Sequence, residues 1–247
     1  MPPKVSVIIP CYNYERFVCN AIESCLEQDY KGEIEVIIVD DASTDRSFAE
    51  MARLFAGRIK VKRLKHNKGY SYAKNEGIAM STGDYIATLD ADDMLTRDSI
   101  SNRAEMLKYK EILMVHANAY TIIGDGDIHY WEKRIYKLEA KPRRKIHAQT
   151  VMVKRQLHVQ YGLYDEDLRS RSDNEMWHRL KAVAKIDHKI AHIDKPVAFY
   201  RKHENSMIEF RKKNKPYNTT VSNLLEDKKA LRFAQGITDQ NTRFLKK

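Results

Sequence analysis

Three carboxylates fall within four positions at Asp90, Asp92 and Asp93, directly behind the apolar and β-branched run Tyr85-Ile86-Ala87-Thr88-Leu89. Acids this close repel one another unless something positive joins them, and a hard divalent cation with oxygen ligands suits them. The competing reading is a helix start, with Asp92 or Asp93 as cap of a helix through Met94-Leu95. For an acidic cluster in isolation the cap has the better claim. This cluster is not isolated. A second strand-like run, Ile34 to Val39, ends at Asp40-Asp41, and a third, residues 4–10, stops at Pro10 and leads into Cys11-Tyr12-Asn13. Tyr12 offers a face for a base to stack on, and Asp40 an acceptor for a base or ribose donor. Neighbouring strands of one sheet would open these ends onto a single crevice, where α/β sheets bind ligands.

The elements that must position these residues follow from the apolar spacing. Phe17, Val18, Ala21, Ile22, Cys25 and Leu26 mark one helical face. Ser43 or Thr44 is placed to cap a helix through Phe48, Met51, Leu54 and Phe55. Residues 59–64 alternate as a half-exposed edge strand does. A short helix spans about Ser71 to Met80, and Gly83 closes the turn before the Tyr85 run. Strand and helix thus alternate four times in the first ninety residues, which predicts an α/β layer fold with largely parallel pairing. Downstream the pattern predicts a helix at Ser99–Lys110, a strand at Ile112–Ile123, a turn at Gly124–Asp127 and a short strand at Val151–Val153. A helix from Asp173 to Val183 follows, with Trp177 and Leu180 inward. Two short strands, Ile190–Ile193 and Val197–Tyr200, flank Pro196.

The chain has 247 residues, 43% hydrophobic and 32% charged, enough for a substantial core. No apolar run approaches ~18 residues, and no signal-peptide pattern opens the sequence. Cys11, Cys19 and Cys25 lack metal-type spacing and read as reduced packing cysteines, which fits a cytoplasmic setting. The net charge is +10, from 44 Lys plus Arg against 34 Asp plus Glu. Basic side chains concentrate at 133–145 and from Glu204 onward, where ten basic residues face five acidic ones. Such an excess favours anionic partners. Neither G-x-G-x-x-G after the first strand nor G-x-x-x-x-G-K-[ST] is present, so a phosphate site must rest on metal and basic side chains. Lys68 and Lys74 read as solvated lysines, with a phosphate contact as the alternative.

Taken together, Pro10-Cys11-Tyr12-Asn13, Val39–Asp45, Asn67–Gly77 and Leu89–Asp93 resemble the successive motifs of family 2 glycosyltransferases with a GT-A fold. Gly162–Leu168 resembles that family's Gly-Gly-Phe-Asp-Glu segment, Ser172–Trp177 its Glu-Asp-x-Asp-Leu-Trp helix start, and Tyr200–Ser206 its Tyr-Arg-x-His segment. The resemblance covers about residues 4–206. It implies a Rossmann-like, mixed but mostly parallel central sheet flanked by helices. Residues 1–98 would form the nucleotide-sugar half and 99–206 the acceptor half of one domain, with 207–247 a basic, partly helical tail. By the same resemblance Pro10, Tyr12, Asp40, Asn67, Asp90 and Ala91 hold the nucleotide, and Asp92 and His203 meet Mn²⁺ or Mg²⁺. Asp173 is the general base of an inverting transfer, and Trp177 a wall of the acceptor site. Ser172 stands where the family usually carries an acid.

The expected activity is sugar transfer from a nucleotide-diphosphate donor, a UDP-sugar favoured, to an acceptor hydroxyl in polysaccharide or glycolipid synthesis. A nucleotidyltransferase shares such strand-end acids but needs a Gly-rich phosphate loop that is missing here. A sugar-nucleotide or nucleic-acid binding module is the non-catalytic alternative. The basic stretches leave open a polyanionic acceptor, such as hydroxylated DNA bases, or peripheral contact with anionic membrane.

Overall fold

The computed structural model describes residues 1–123, 146–168, 172–184, 189–204 and 206. The expected turn at 124–127, the basic run at 133–145 and the tail beyond 206 lie outside these.

The first ninety residues fold as the apolar periodicity predicts. Strands β1 (Val5–Cys11), β2 (Ile34–Asp40), β3 (Lys60–Arg63) and β4 (Tyr85–Thr88) run parallel in the order β3-β2-β1-β4. β1 is buried along its whole length and β4 likewise, as continuous apolar runs must be when helices cover both faces of a sheet. β3 takes the edge, with Lys60, Lys62 and Arg63 exposed, which blunts the unpaired rim against association. Helix α1 (Val18–Leu26) buries Val18, Ala21, Ile22 and Cys25, the i, i+3, i+4, i+7 face. Helix α2 (Ser47–Phe55) buries Ser47, Met51 and Phe55.

Helix α3 (Tyr70–Met80) departs from an amphipathic pattern: its buried face includes Ser71, Lys74, Asn75 and Glu76. It crosses β1 at Gly77, where an added Cβ would stand 2.3 Å from Ile8 Cγ2. Glycine is the residue that permits this approach.

The second half extends the same sheet. β5 (Met94–Leu95), helix α4 (Ser99–Leu107), β6 (Met114–Ile123), β7 (Met152–Lys154), helices α5 (Arg155–Tyr161) and α6 (Ser172–Ala184), and β8 (Ile190–Lys202) complete eight strands in the order β3-β2-β1-β4-β7-β6-β8-β5. β7 pairs antiparallel with β4 and β6, β5 pairs antiparallel with β8, and β6 and β8 are parallel. The sheet is therefore mixed and mostly parallel. Pro196 does not split its segment in two. β8 is one strand that absorbs Pro196 through register shifts opposite Ala117, Asn118 and Ala119, the kind of irregularity at which a ladder tolerates proline.

Two expected caps are not made. Neither Ser43 nor Thr44 caps α2; Asp45 Oδ1 instead accepts the Ser47 N–H at 2.9 Å. Met94-Leu95 is strand rather than helix, so Asp92 and Asp93 cap nothing there. Among the described residues, no helix is long and apolar enough to cross a membrane.

Candidate active site

The loops after β1 and β2 are fastened to each other. Asn13 Oδ1 accepts the Thr44 N–H at 2.8 Å, and the Asn13 N–H donates to Ser43 Oγ at 2.9 Å. Asn13 and Ala42 both take the left-handed backbone, with φ of 61°. For alanine this costs roughly 1–2 kcal/mol, sustained here by the pinned neighbours. Cys11 pairs in register with Asp40, so the two strand ends lie side by side with Pro10 buried and Tyr12 42% exposed.

Asp40 is fully buried, and its Oδ2 accepts from the Ser43 N–H at 3.3 Å and from Arg63 Nε at 3.2 Å. Its Oδ1 has no partner among the described residues. A buried acceptor without a donor is costly unless a ligand supplies one. Asp41 turns the other way and accepts the N–H groups of Lys68 at 2.7 Å and Gly69 at 2.8 Å. Burial nonetheless raises its carboxyl above the usual carboxylate range. This grip sets the start of α3 and leaves Asn67 exposed on the loop before it.

Beyond β4 the chain turns tightly, with the Asp93 N–H donating to the Asp90 carbonyl at 3.0 Å. Asp90, Asp92 and Asp93 can each offer a carboxylate oxygen, and these oxygens lie within 4.8 Å of one another. The Ala91 side chain points into the core, so this residue has only its backbone to offer a ligand. Each acid has a distinct anchor. Tyr70 Oη donates to Asp90 Oδ1 at 2.5 Å. His203 Nε2 meets Asp92 Oδ2 at 3.0 Å. The Arg201 N–H donates to Asp93 Oδ1 at 2.8 Å, while Arg201 Nε donates to the Asp92 carbonyl at 2.9 Å. Asp93 Oδ2 is buried without a partner among the described residues. Arg201, fully buried, and His203 both pack on the Phe17 ring, at 5.0 and 4.8 Å.

Burial raises the Asp90 carboxyl to about 6. That value already includes the opposing pull of Lys74 and the Tyr70 hydroxyl and the upward push of Asp92 and Asp173. Asp93 is raised well above the usual carboxylate range, by burial and then by Asp92 and Asp90. A cluster whose acids resist ionising together is one that an added cation would stabilise.

Asp173 sits in the first turn of α6, not at its cap, and its carboxylate lies against α3. Lys74 Nζ donates to Asp173 Oδ1 at 2.7 Å. The lysine is fully buried, with its ammonium 4.2 Å from the Tyr70 ring centre and 4.6 Å from that of Tyr164. Burial alone would lower its pKa, but Asp173, Tyr164 and Asp90 together raise it above the usual lysine value. The expectation of a solvated Lys74 is therefore overturned. Trp177, one turn further along α6, is buried in a cluster with Leu163, Tyr164, Met176 and Leu180. Its Nε1 has no partner among the described residues, and neither does the buried Ser172 Oγ.

The structure thus gathers Asp90, Asp92 and His203 at one point, Asp40 with Pro10 and Tyr12 on the neighbouring strand ends, and Asp173 across α3. Asp93 joins Asp90 and Asp92 as the spacing predicts, whereas little in the local sequence marks Lys74, Tyr70 and Arg201 as partners of these groups. The one local signal is the polar set Ser71, Lys74 and Asn75 on a helix that must be covered on both sides.

Comparison with known proteins fits this arrangement. A family model described as Glycosyl transferase family 2 matches residues 6–164. The putative teichuronic acid biosynthesis glycosyltransferase TuaG of Bacillus subtilis is 30% identical over 182 residues, covering 71% of each chain. The UDP-Glc:alpha-D-GlcNAc-diphosphoundecaprenol beta-1,3-glucosyltransferase WfaP of Escherichia coli is 34% identical over 116 residues, covering 47% of this chain and 46% of WfaP. An uncharacterized glycosyltransferase of Haemophilus influenzae is 35% identical over 118 residues, 47% of each chain. The chain therefore spans about half the length of the last two relatives. Among solved structures, the mannosyltransferase PcManGT of Pyrobaculum calidifontis in complex with GDP-Man and Mn²⁺ superposes with a TM-score of 0.65 at 20% identity. That match covers 85% of this chain and 60% of the other. S. aureus TarS 1-349 in complex with UDP-GlcNAc gives 0.63 at 23%, covering 82% and 60%. These two likenesses establish the fold as GT-A. With the family model matched across most of the sheet, the chain belongs to glycosyl transferase family 2.

Proposed function

We propose that this chain transfers a sugar, with inversion, from a nucleotide-diphosphate donor to an acceptor hydroxyl, and that a UDP-sugar is the favoured donor. The observation that carries the reading is the pairing of two unlike carboxylate sites on one helix. Tyr70 holds Asp90 of the strand-end cluster, and Lys74, one turn on, holds Asp173.

Asp40 Oδ1, buried without a donor, suits an N–H of the base, and the exposed Tyr12 ring suits stacking on it. Asp90, Asp92 and Asp93 would hold a divalent ion, Mn²⁺ or Mg²⁺, and their crowded oxygens and the unpartnered Asp93 Oδ2 fit one. Such an ion, when bound, supplies neutralisation of the charge that develops on the leaving diphosphate. Asp173, 22% exposed, takes the proton of the acceptor hydroxyl. The acceptor oxygen forms its bond to the anomeric carbon as the bond to the diphosphate breaks, and the electron pair departs with the nucleotide. Attack from the face opposite the leaving group inverts the centre.

The names of TuaG and WfaP point to an acceptor in surface polysaccharide or lipid-linked glycan synthesis. The basic stretches that motivate the polyanionic and membrane readings, 133–145 and the tail, lie outside the described residues.

The test is a thermal-shift screen with UDP, UDP-glucose, UDP-GlcNAc and GDP-mannose, with and without Mn²⁺, followed by an assay of nucleoside diphosphate release. Metal-dependent stabilisation and release are expected of the wild type, with both lost in Asp92→Ala and only the release lost in Asp173→Asn. Normal turnover by either variant would sink the corresponding residue role.

A further inference from the structure

We propose that Lys74 is the positioning residue of Asp173, holding the carboxylate through Oδ1 in one orientation so that Oδ2 takes the acceptor proton. The inference rests on the reading of Asp173 as the proton acceptor.

Lysine is almost never fully buried unless it is paired. Here the pairing is specific. The ammonium reaches Asp173 Oδ1 at 2.7 Å and is walled by the Tyr70 and Tyr164 rings. Both walls are themselves fixed. The Tyr70 hydroxyl is committed to Asp90. Tyr164 is held at its backbone by Asn75, whose Oδ1 accepts the Tyr164 N–H at 3.0 Å while its Nδ2 donates to the Tyr164 carbonyl at 2.9 Å. The ammonium therefore has one place to be, and Asp173 inherits that precision.

Two blander roles fit less well. A phosphate contact needs an accessible ammonium, and Lys74 is 0% exposed. A purely structural tie is redundant. Ser71 Oγ already donates to the Leu168 carbonyl at 2.9 Å, and Asn75 Nδ2 reaches Glu166 Oε1 at 3.0 Å, so α3 is docked onto this region without the ion pair. An apolar side chain at position 74 would serve docking better, because burying an ammonium carries a desolvation penalty that the pair only partly offsets. What the ion pair adds is a fixed orientation for a carboxylate that is open to solvent on one side.

The experiment measures nucleoside diphosphate release from UDP-glucose, UDP-GlcNAc and GDP-mannose with Mn²⁺, with water as the acceptor. It compares wild type, Lys74→Met, Asp173→Asn and the double variant. Lys74→Met keeps the stem and removes the charge. The expected result is a kcat lowered about 10²-fold, as for other small misplacements of a reacting group. KM for the donor stays within about twofold, and the double variant is no slower than Asp173→Asn alone. Losses that multiply in the double variant, a change in donor KM with kcat retained, or a lowered melting temperature with normal kinetics would each overturn the positioning role. If Lys74→Met does not fold, Lys74→Gln takes its place in the same cycle, with the same outcomes supporting or overturning the role. Release from none of the three donors by the wild type would instead remove the transferase reading, and the positioning role with it.

Discussion

His203 Nε2 lies 3.0 Å from Asp92 Oδ2, joining residues 111 positions apart. The end of β8 thereby closes onto the turn after β4, and Arg201, two residues earlier, grips the same turn through the Asp92 carbonyl and the Asp93 carboxylate. If Asp92 meets a metal, His203 sets the direction in which its carboxylate points. Outer partners of this kind typically change metal affinity 10–100-fold. His203→Ala is therefore expected to weaken Mn²⁺-dependent UDP binding by about that factor in isothermal titration calorimetry. Unchanged affinity would remove His203 from the site.

Glu35 anchors the opposite end of the sheet and should make stability pH-dependent. Burial pushes its carboxyl up. Lys60, the Ser6 hydroxyl and the Thr82 N–H and hydroxyl pull it further down, to about 2 from an ordinary 4.5. A depressed carboxyl stabilises the fold above the unfolded value and loses that contribution as pH falls from 4.5 through 2. Allowing for the half-exposed Lys60 end, Glu35→Gln is expected to cost on the order of 2 kcal/mol at about pH 7 and almost nothing near pH 2. Urea denaturation at the two pH values checks this; a cost independent of pH would contradict it.

The α3–β1 crossing predicts an overpacking effect. Gly77→Ala places a methyl 2.3 Å from Ile8 Cγ2, a branch of a β-branched side chain with few rotamers to retreat to. The strain outweighs the better helix propensity of alanine, and a net loss of about 1–2 kcal/mol is expected by thermal denaturation. Ile8→Ala in the same chain should make Gly77→Ala cheaper than it is in the wild type. Strictly additive costs would show that the crossing is not the cause.

Arg103 is a buried cation held by carbonyls and a hydroxyl. Its guanidinium donates to the Ser99 carbonyl and hydroxyl at 3.1 and 2.8 Å, and to the Val151 carbonyl at 3.1 Å. Burial lowers it to about 10, so it still carries its charge at neutral pH. Arg103→Met removes the donor from the Val151 carbonyl and the Ser99 hydroxyl and should cost about 3 kcal/mol. A loss under about 1 kcal/mol in chemical denaturation would mean that water or a neighbour replaces it.

The acids at strand ends were legible because an apolar run followed by carboxylates is a local pattern, and the family motifs lie within such patterns. The edge position of β3 and the inward face of α1 follow from the same periodicity. Other features were not legible, each for a physical reason. Pro196 reads as a break because proline removes one ladder hydrogen bond, yet register shifts against β6 let a single strand carry it. Lys74 reads as solvated because lysine usually is. Its burial depends on a carboxylate 99 positions away and on the Tyr164 ring of a distant segment, which faces it together with Tyr70 one turn back on α3. Asp93 reads as a cap because the following residues permit a helix, but pairing with β8 makes Met94-Leu95 a strand and turns the carboxylate toward Arg201.

By itself the sequence determined which side chains stand at the carboxyl ends of β1, β2 and β4, since hydrophobic period and chain direction decide that locally. Only the tertiary structure decided which of them act together. Pairing of a buried charge depends on what the fold brings within about 3 Å, and that distance is set by the packing of α3 between the strand-end cluster and α6.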